Sequence, residues 1–390
     1  MFEDLKILEL ASVLAGPSVG QFFAELGAEV IKVENIHTAG DVTRTWRVMG
    51  EQTDDRSSYF CSVNWGKKSI AVNLNTVEGK EIIHALVKKS DVVIASYKSG
   101  DAAKLEVDYK TLSALNPSII YGQITGYGSD NPRVGYDAAI QAEAGFMFMN
   151  GEPGGPSLKM PVALMDILAG HHLKEGILLA LLNRQRSGKG ELIEVSLIQA
   201  AISSLANQAT NWLVAGVIPQ KQGSAHPNIA PYGDIFKTAD AHEILLSIGS
   251  NKQFNSLCLI LGIPDTPFDS NYQTNELRVK NRTPLNSLLS KRMELLHLQF
   301  LIDAFQKSNI PYGIVNNMQE VFDIPEAKEL LIRSNDRIGV QTYVGNSSRG
   351  TTSHILPPPH LGEHTAEILL QTLEMPSGQV KILMENHIIG

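Results

Sequence analysis

The sequence predicts an α/β fold whose main layer is a doubly wound parallel sheet. Two observations carry this. Short apolar runs alternate with helix-patterned segments through the first half of the chain, and strands that alternate with helices pair in parallel through right-handed crossovers. The composition, 43% hydrophobic and 19% charged, is that of an ordinary globular protein, and 390 residues suffice for two domains with their own cores.

The opening run "LKILEL" reads as a buried strand. "PSVGQFFAELG" follows as a helix with Pro17 in its first turn and Gly27 at its end, then "AEVIKVE" as the next strand. The alternation repeats with strand "KSIAVNL", helix "TVEGKEIIHALVKKS", strand "DVVIASY", helix "GDAAKLEVDYKTLSALNP" and strand "SIIYGQITGYG". "ILAGHHLKEGILLALLNRQRSGKG" is a long helix, with apolar residues on one face and a basic last turn running into glycines. "ELIEVSLIQAAISSLANQATNWLVAG" adds a strand and another helix. From about Gly223 the texture changes to a loop, a hairpin and a helix start in "GSAHPNIAPYGDIFKTADAHEILLSIGSNKQF". A smaller domain begins there, and a Gly/Ser/Pro-rich stretch leads to a short C-terminal helix.

Forty-one acidic against thirty-three basic residues give a net charge of −8, which repels nucleic acid and anionic membrane alike. No apolar run is long enough to span a bilayer. Cys61 and Cys258 show neither metal-ligand spacing nor a disulfide framework, and the acidic N-terminus lacks a secretion signal. A cytoplasmic protein is expected.

Several residues are candidates for chemistry. The first βα turn, "LASVLAGPSVGQ", presents backbone N–H groups suited to a phosphate, and Glu34 stands where dinucleotide folds place a ribose-binding acid. Its glycines do not form G-x-G-x-x-G, however. Lys67, Lys68, Lys98 and Lys104 flank strands and are candidate phosphate ligands. Asp166 lies in the apolar run "PVALMDILAGHH". It reads either as a helix cap or as a reactive carboxylate, and the second requires a partly wetted cleft so that the group stays ionised. His171 and His172 point about 100° apart on a helix, and no further ligand follows at i+4, so no metal site is expected.

Taken in order, "LASVLAGPSVGQFFAELGAEVIKVE", "GDVTRTW", "NWGKKSIAVNLNTVEGKE", "GYDAAIQAEAG", "PVALMDILAG", "RQRSGKGELIEVSLIQAA", "HPNIAPYGDIFKTAD" and "LGEHTAEIL" resemble the class III CoA-transferases. The resemblance implies a Rossmann-like large domain built from both chain ends (1–205 and 345–390), a smaller inserted α+β domain (223–330), linkers at 206–222 and 331–344, and an interlocked homodimer. It implies Asp166 as the nucleophile. Leu14, Ala15, Asn35, Val72, Asn73, Leu74, Asn75, Ser96, Tyr97, Lys98, Lys104, Val134, Gly135, Tyr136 and Asp137 match the family's coenzyme A contacts, and His226 and Asn228 are candidate contacts to the acid. Acyl-CoA and a small carboxylic acid would be the substrates, with no tightly bound cofactor and no metal.

The chemistry implied is transfer of coenzyme A through an aspartyl anhydride and an aspartyl-CoA thioester. Two alternatives share these features. An α-methylacyl-CoA racemase needs an acid and a base, but Tyr136 stands where such enzymes have a histidine. A non-catalytic CoA-binding protein would use Asp166 as a cap alone.

Overall fold

The computed structural model describes residues 1–334, 337–345 and 355–390, so part of the Gly/Ser/Pro-rich stretch lies outside the described residues. Six parallel strands, β1 (Lys6–Leu10), β2 (Glu29–Glu34), β3 (Lys67–Ala71), β4 (Val92–Ala95), β5 (Ile120–Thr125) and β6 (Leu192–Ser196), form one sheet in the order β3-β2-β1-β4-β5-β6. Leu8 is in register with Ile31 on one side and Val93 on the other. All four β4 residues are buried, as expected of a strand covered on both faces. The order reverses between β1 and β4, where ligands of open α/β sheets bind.

Helix α1 (Ala15–Glu25) starts directly after the turn that follows β1. Helix α2 (Val77–Val87) is capped by Thr76, whose side chain accepts the Gly79 amide. The helix expected from "GDAAKLEVDYKTLSALNP" is instead two short ones, Asp101–Lys104 and α3 (Tyr109–Leu115). Glu106 adopts φ +58 between them, and Asp108 recaps the chain through the Thr111 amide. Helix α4 (Asp137–Glu143) precedes the long helix α5 (Leu164–Ser187), which buries Met165, Asp166, Ala169, Gly170, Leu173, Ile177 and Ala180 on one stripe. It ends at Gly188 in the left-handed conformation (φ +68).

The chain divides into two compact units. The first comprises Met1–Ala144, Met160–Ala206 and Glu329–Gly390 and contains the parallel sheet. C-terminal residues Ile368, Leu369, Val380, Leu383, Ile388 and Ile389 share a core with Leu8, Ile70 and Val93. The second, Gly145–Lys159 and Asn207–Lys328, holds an antiparallel sheet of β7 (Tyr232–Lys237), β8 (Glu243–Ser247) and β9 (Tyr312–Ile314). Its core is built on Phe236, Ile244, Phe254, Leu289 and Phe305.

Candidate active site

Asp166 is the third residue of α5, and the N-cap is Ala163. The cap role that its sequence context allowed therefore does not fall to Asp166. A carboxylate from another element does that work: Asp137 Oδ1 accepts the Met165 amide at 2.8 Å, while its Oδ2 accepts from Gln141 at 2.6 Å. The start of α5 also lies hard against the start of α1. A Cβ at Gly170 would come within 2.5 Å of Ser18 Oγ and 3.1 Å of the Ala15 carbonyl oxygen, so only glycine permits this approach.

The Asp166 side chain lines a cavity of about 200 Å³ yet is 8% exposed. Among the described residues no hydrogen-bond donor or cation holds its carboxylate. Burial, and second the negative charge of Asp137, push its pKa from 3.8 up to about 7. At neutral pH roughly half of the molecules carry it ionised.

Val13 and Ala15 of the first turn, Ser96, Tyr97 and Lys98 after β4, and Val134, Gly135 and Tyr136 before α4 form the remaining walls, together with Ser12, Gly126, Asn131 and Arg133. A second cleft, of about 600 Å³, is lined by Asn35, Val72, Leu74, Asn75 and Leu105. Ser12 and Tyr97 line both cavities. They follow β1 and β4, at the reversal of strand order, and the Ser12 amide donates to Ser96 Oγ at 3.1 Å across that gap. A long ligand could thus lie with one end in the wide cleft and the other beside Asp166.

The remaining candidates lie elsewhere. Leu14 is the half-buried N-cap of α1. Asn73 bonds to His37 and to the Asn75 amide. Lys104 faces solvent, paired with Asp101 at 3.0 Å, and lines neither cavity. Asp137 is engaged with the α5 amide. His226 and Asn228 belong to the second unit, where the Asn228 amide donates to His226 Nδ1 at 3.1 Å.

Three readings of the sequence need correcting. Glu34 is not free for a ribose, because Arg44, Ser69 and the Asp41 amide occupy its oxygens. Lys67 is fully buried and bonded to Glu9, Asn64 and the Pro17 carbonyl. Lys68 is shared between Glu29 and Glu367. Neither lysine is available to a phosphate.

The structure adds residues that sequence reasoning missed. Tyr59 is half-buried and its pKa is raised by burial and then by the charges of Asp166 and Asp137, which places its hydroxyl in their field. Nothing in the sequence links it to Asp166. Thr125 and Gly126 were findable, since Thr125 ends β5 and Gly126 directly follows it, as Ser96 follows β4.

His171 and His172 are exposed on α5, with His172 near Glu175 and Ser203. Among the described residues Asp54, Asp55 and His360 are close enough to share an ion. Their carboxylates are already engaged, Asp54 by Arg56 and Arg337 and Asp55 by Arg44 and a contact to the His360 ring.

Fold and site define a doubly wound α/β protein whose ligand cleft crosses the sheet's switch point and ends at a perturbed carboxyl group. The chain belongs to CoA-transferase family III, whose family model matches residues 2–365. It is 36% identical to the succinate–glutarate CoA-transferase of Agrobacterium fabrum, over 95% of this chain and 96% of that one. It is 37% identical to the human succinyl-CoA:glutarate CoA-transferase, over 95% of this chain and 86% of the other. The crystal structure of a CAIB/BAIF family protein from Brucella suis superposes with a TM-score of 0.82 at 38% identity, covering 93% of this chain and 97% of that one. The protein is an enzyme that transfers coenzyme A between an acyl-CoA and a carboxylic acid.

Proposed function

We propose that Asp166 is the nucleophile of this transfer and that the acids exchanged are short dicarboxylates such as succinate and glutarate. The observation that carries the first part is a buried carboxylate, unpaired among the described residues, in the wall of the cavity. Desolvation makes it more basic than an ordinary aspartate, and a more basic oxygen is a better nucleophile so long as an ionised fraction survives. A pKa of about 7 leaves that fraction near half at neutral pH. The dicarboxylate reading is supported by the names of the Agrobacterium and human relatives.

A carboxylate oxygen of Asp166 attacks the thioester carbonyl, the C–S bond breaks, and a mixed anhydride forms as CoA thiolate departs. The thiolate then attacks the aspartyl carbonyl, releasing the donor acid as its carboxylate and leaving an aspartyl-CoA thioester. The acceptor carboxylate attacks that thioester and expels the thiolate again. In the last step the thiolate takes the acyl group from the second anhydride, which regenerates Asp166. The coenzyme's nucleotide end lies in the cleft lined by Asn35, Val72, Leu74 and Asn75, and its pantetheine arm passes Ser12 and Tyr97.

Interlocking of two copies accounts for an exposed apolar stretch in the second unit. Trp212 is 53%, Leu213 75% and Val214 84% exposed, and Val217 and Ile218 follow them. The unpaired thiols of Cys61 and Cys258 suit a cytoplasmic setting.

The nucleophile is tested by incubating the enzyme with succinyl-CoA, trapping with hydroxylamine and mapping peptides by mass spectrometry. A hydroxamate at Asp166 is expected. Its absence across a panel of acyl-CoA donors overturns the reading.

A further inference from the structure

Val13, a β-branched residue, holds φ +72 in the turn that lines the Asp166 cavity. This backbone conformation is a genuine outlier for such a side chain and persists only where the surroundings over-determine it. Three contacts grip the turn. Lys32 Nζ donates to the Ala11 carbonyl at 2.9 Å, Ser96 Oγ accepts the Ser12 amide, and the Asp41 carboxylate accepts the Val13 amide with both oxygens at 3.3 Å. Asp41 is itself fixed by Lys32 at 2.9 Å and by the backbone and hydroxyl of Thr43 at 3.0 and 2.8 Å. Asp41 borders the second cleft, but its side chain is 1% exposed and its oxygens are taken up by Lys32, Thr43 and the Val13 amide.

We propose that Asp41 is a positioning residue for coenzyme A transfer: by holding the Val13 amide it keeps the first turn in the strained shape that faces Asp166. This gives a role to the stretch "GDVTRTW", whose aspartate lies 125 positions before Asp166 in the chain. The inference rests on the reading of Asp166 as nucleophile, because the rate that Asp41 governs is attack by that carboxylate.

The test compares Asp41→Asn in two backgrounds, wild type and Val13→Gly, since glycine adopts this φ without steric cost and does not need to be held. The readouts are the KM for succinyl-CoA, kcat, and the single-turnover rate of adduct formation at Asp166. With Val13 present, D41N is expected to lower kcat and the adduct rate about 10- to 100-fold, with KM changed less than about threefold, in the range of misplaced catalytic geometry. In the V13G background the same substitution is expected to change the rate less than about threefold. Equal losses in both backgrounds, an unchanged rate in D41N, or failure of D41N to fold in both backgrounds overturns the proposal. D41N that folds only alongside V13G supports it. Absence of any adduct in the wild-type enzyme counts against the nucleophile instead, and the kcat comparison still decides the role of Asp41.

Discussion

Two buried carboxylate regions lie close together in this enzyme and behave in opposite ways. Under the start of α1, Glu9 is fully buried, yet Lys32 reaches its Oε1 at 3.1 Å and Lys67 its Oε2 at 2.7 Å. Nearby, Asp41 is held below the usual carboxylate range: burial pushes the other way but is outweighed by Lys32 and the Thr43 bonds. Lys32 is raised correspondingly, since Asp41, Glu9 and Glu34 together outweigh its own burial. At the start of α5, Asp166 is nearly as buried but lacks a cation among the described residues, and its neighbour is another carboxylate, so its pKa rises. Burial opposes ionisation in both places: at Asp41 a cation and hydrogen bonds outweigh it, whereas at Asp166 it prevails, with the charge of Asp137 adding to it. The first region spends its charges on holding backbone in place, whereas the second leaves one carboxyl group without a partner among the described residues.

That contrast can be broken at four points. The largest effect belongs to Asp166→Ala, which should lower transfer by about 10⁴-fold or more, as loss of a covalent nucleophile does. A single-turnover assay with succinyl-CoA measures it. In the wild-type enzyme the same assay run against pH should show adduct formation rising as Asp166 ionises through about pH 7 and levelling above it. A rate independent of pH from 5 to 9 would show that Asp166 is not the titrating nucleophile.

Next is Glu9→Gln, which removes the carboxylate paired with buried Lys67 and one of the two paired with buried Lys32. It should destabilise the fold by about 3–5 kcal/mol, as removal of one partner from a buried ion pair does, and urea denaturation at neutral pH reads it directly.

The opposite sign is expected for Asp166→Asn. Because the folded-state pKa is raised, the native state binds the extra proton between about pH 4 and 7, so the wild-type group loses stability as pH rises through that window. The asparagine variant should therefore match wild type near pH 4 and exceed it above pH 7, by at most about 4 kcal/mol. Thermal melts at the two pH values check both sign and window.

Smallest is Asp137→Asn, which removes a negative neighbour of Asp166 and weakens the bond to the Met165 amide. The pH midpoint of adduct formation should move down, with about 1 kcal/mol of stability lost, the usual magnitude for a helix cap. An upward move of the midpoint would contradict the repulsion argued here.

Much of the sheet was legible because a buried parallel strand needs a continuous apolar run, as in "LKILEL" and "DVVIASY". Helix ends were read less well. Glu106 and Ala206 turn left-handed, splitting segments whose apolar spacing runs straight through. A non-glycine left-handed residue has no strong local signature. Asp166 stood out as a lone acid in an apolar run, but its cap reading was wrong because the acceptor for the α5 amide, Asp137, comes from a different helix. Lys67 and Lys68 were plausible phosphate ligands by position alone, and only their packing against Glu9, Glu29 and Glu367 removed them.

By itself the sequence determined the order of strands and helices, the carboxylate to suspect and the family to which the chain is similar, because these depend on residue type and local spacing. Tertiary structure alone decided which charges meet. Glu9, Lys32, Asp41 and Lys67 come from three strands and a loop to neutralise one another, while Asp137 arrives beside Asp166 without a cation among the described residues. Coulomb interactions and desolvation depend on distance in space, not in sequence, so the same residue type is inert scaffold in one place and a titratable acid near neutral pH in the other.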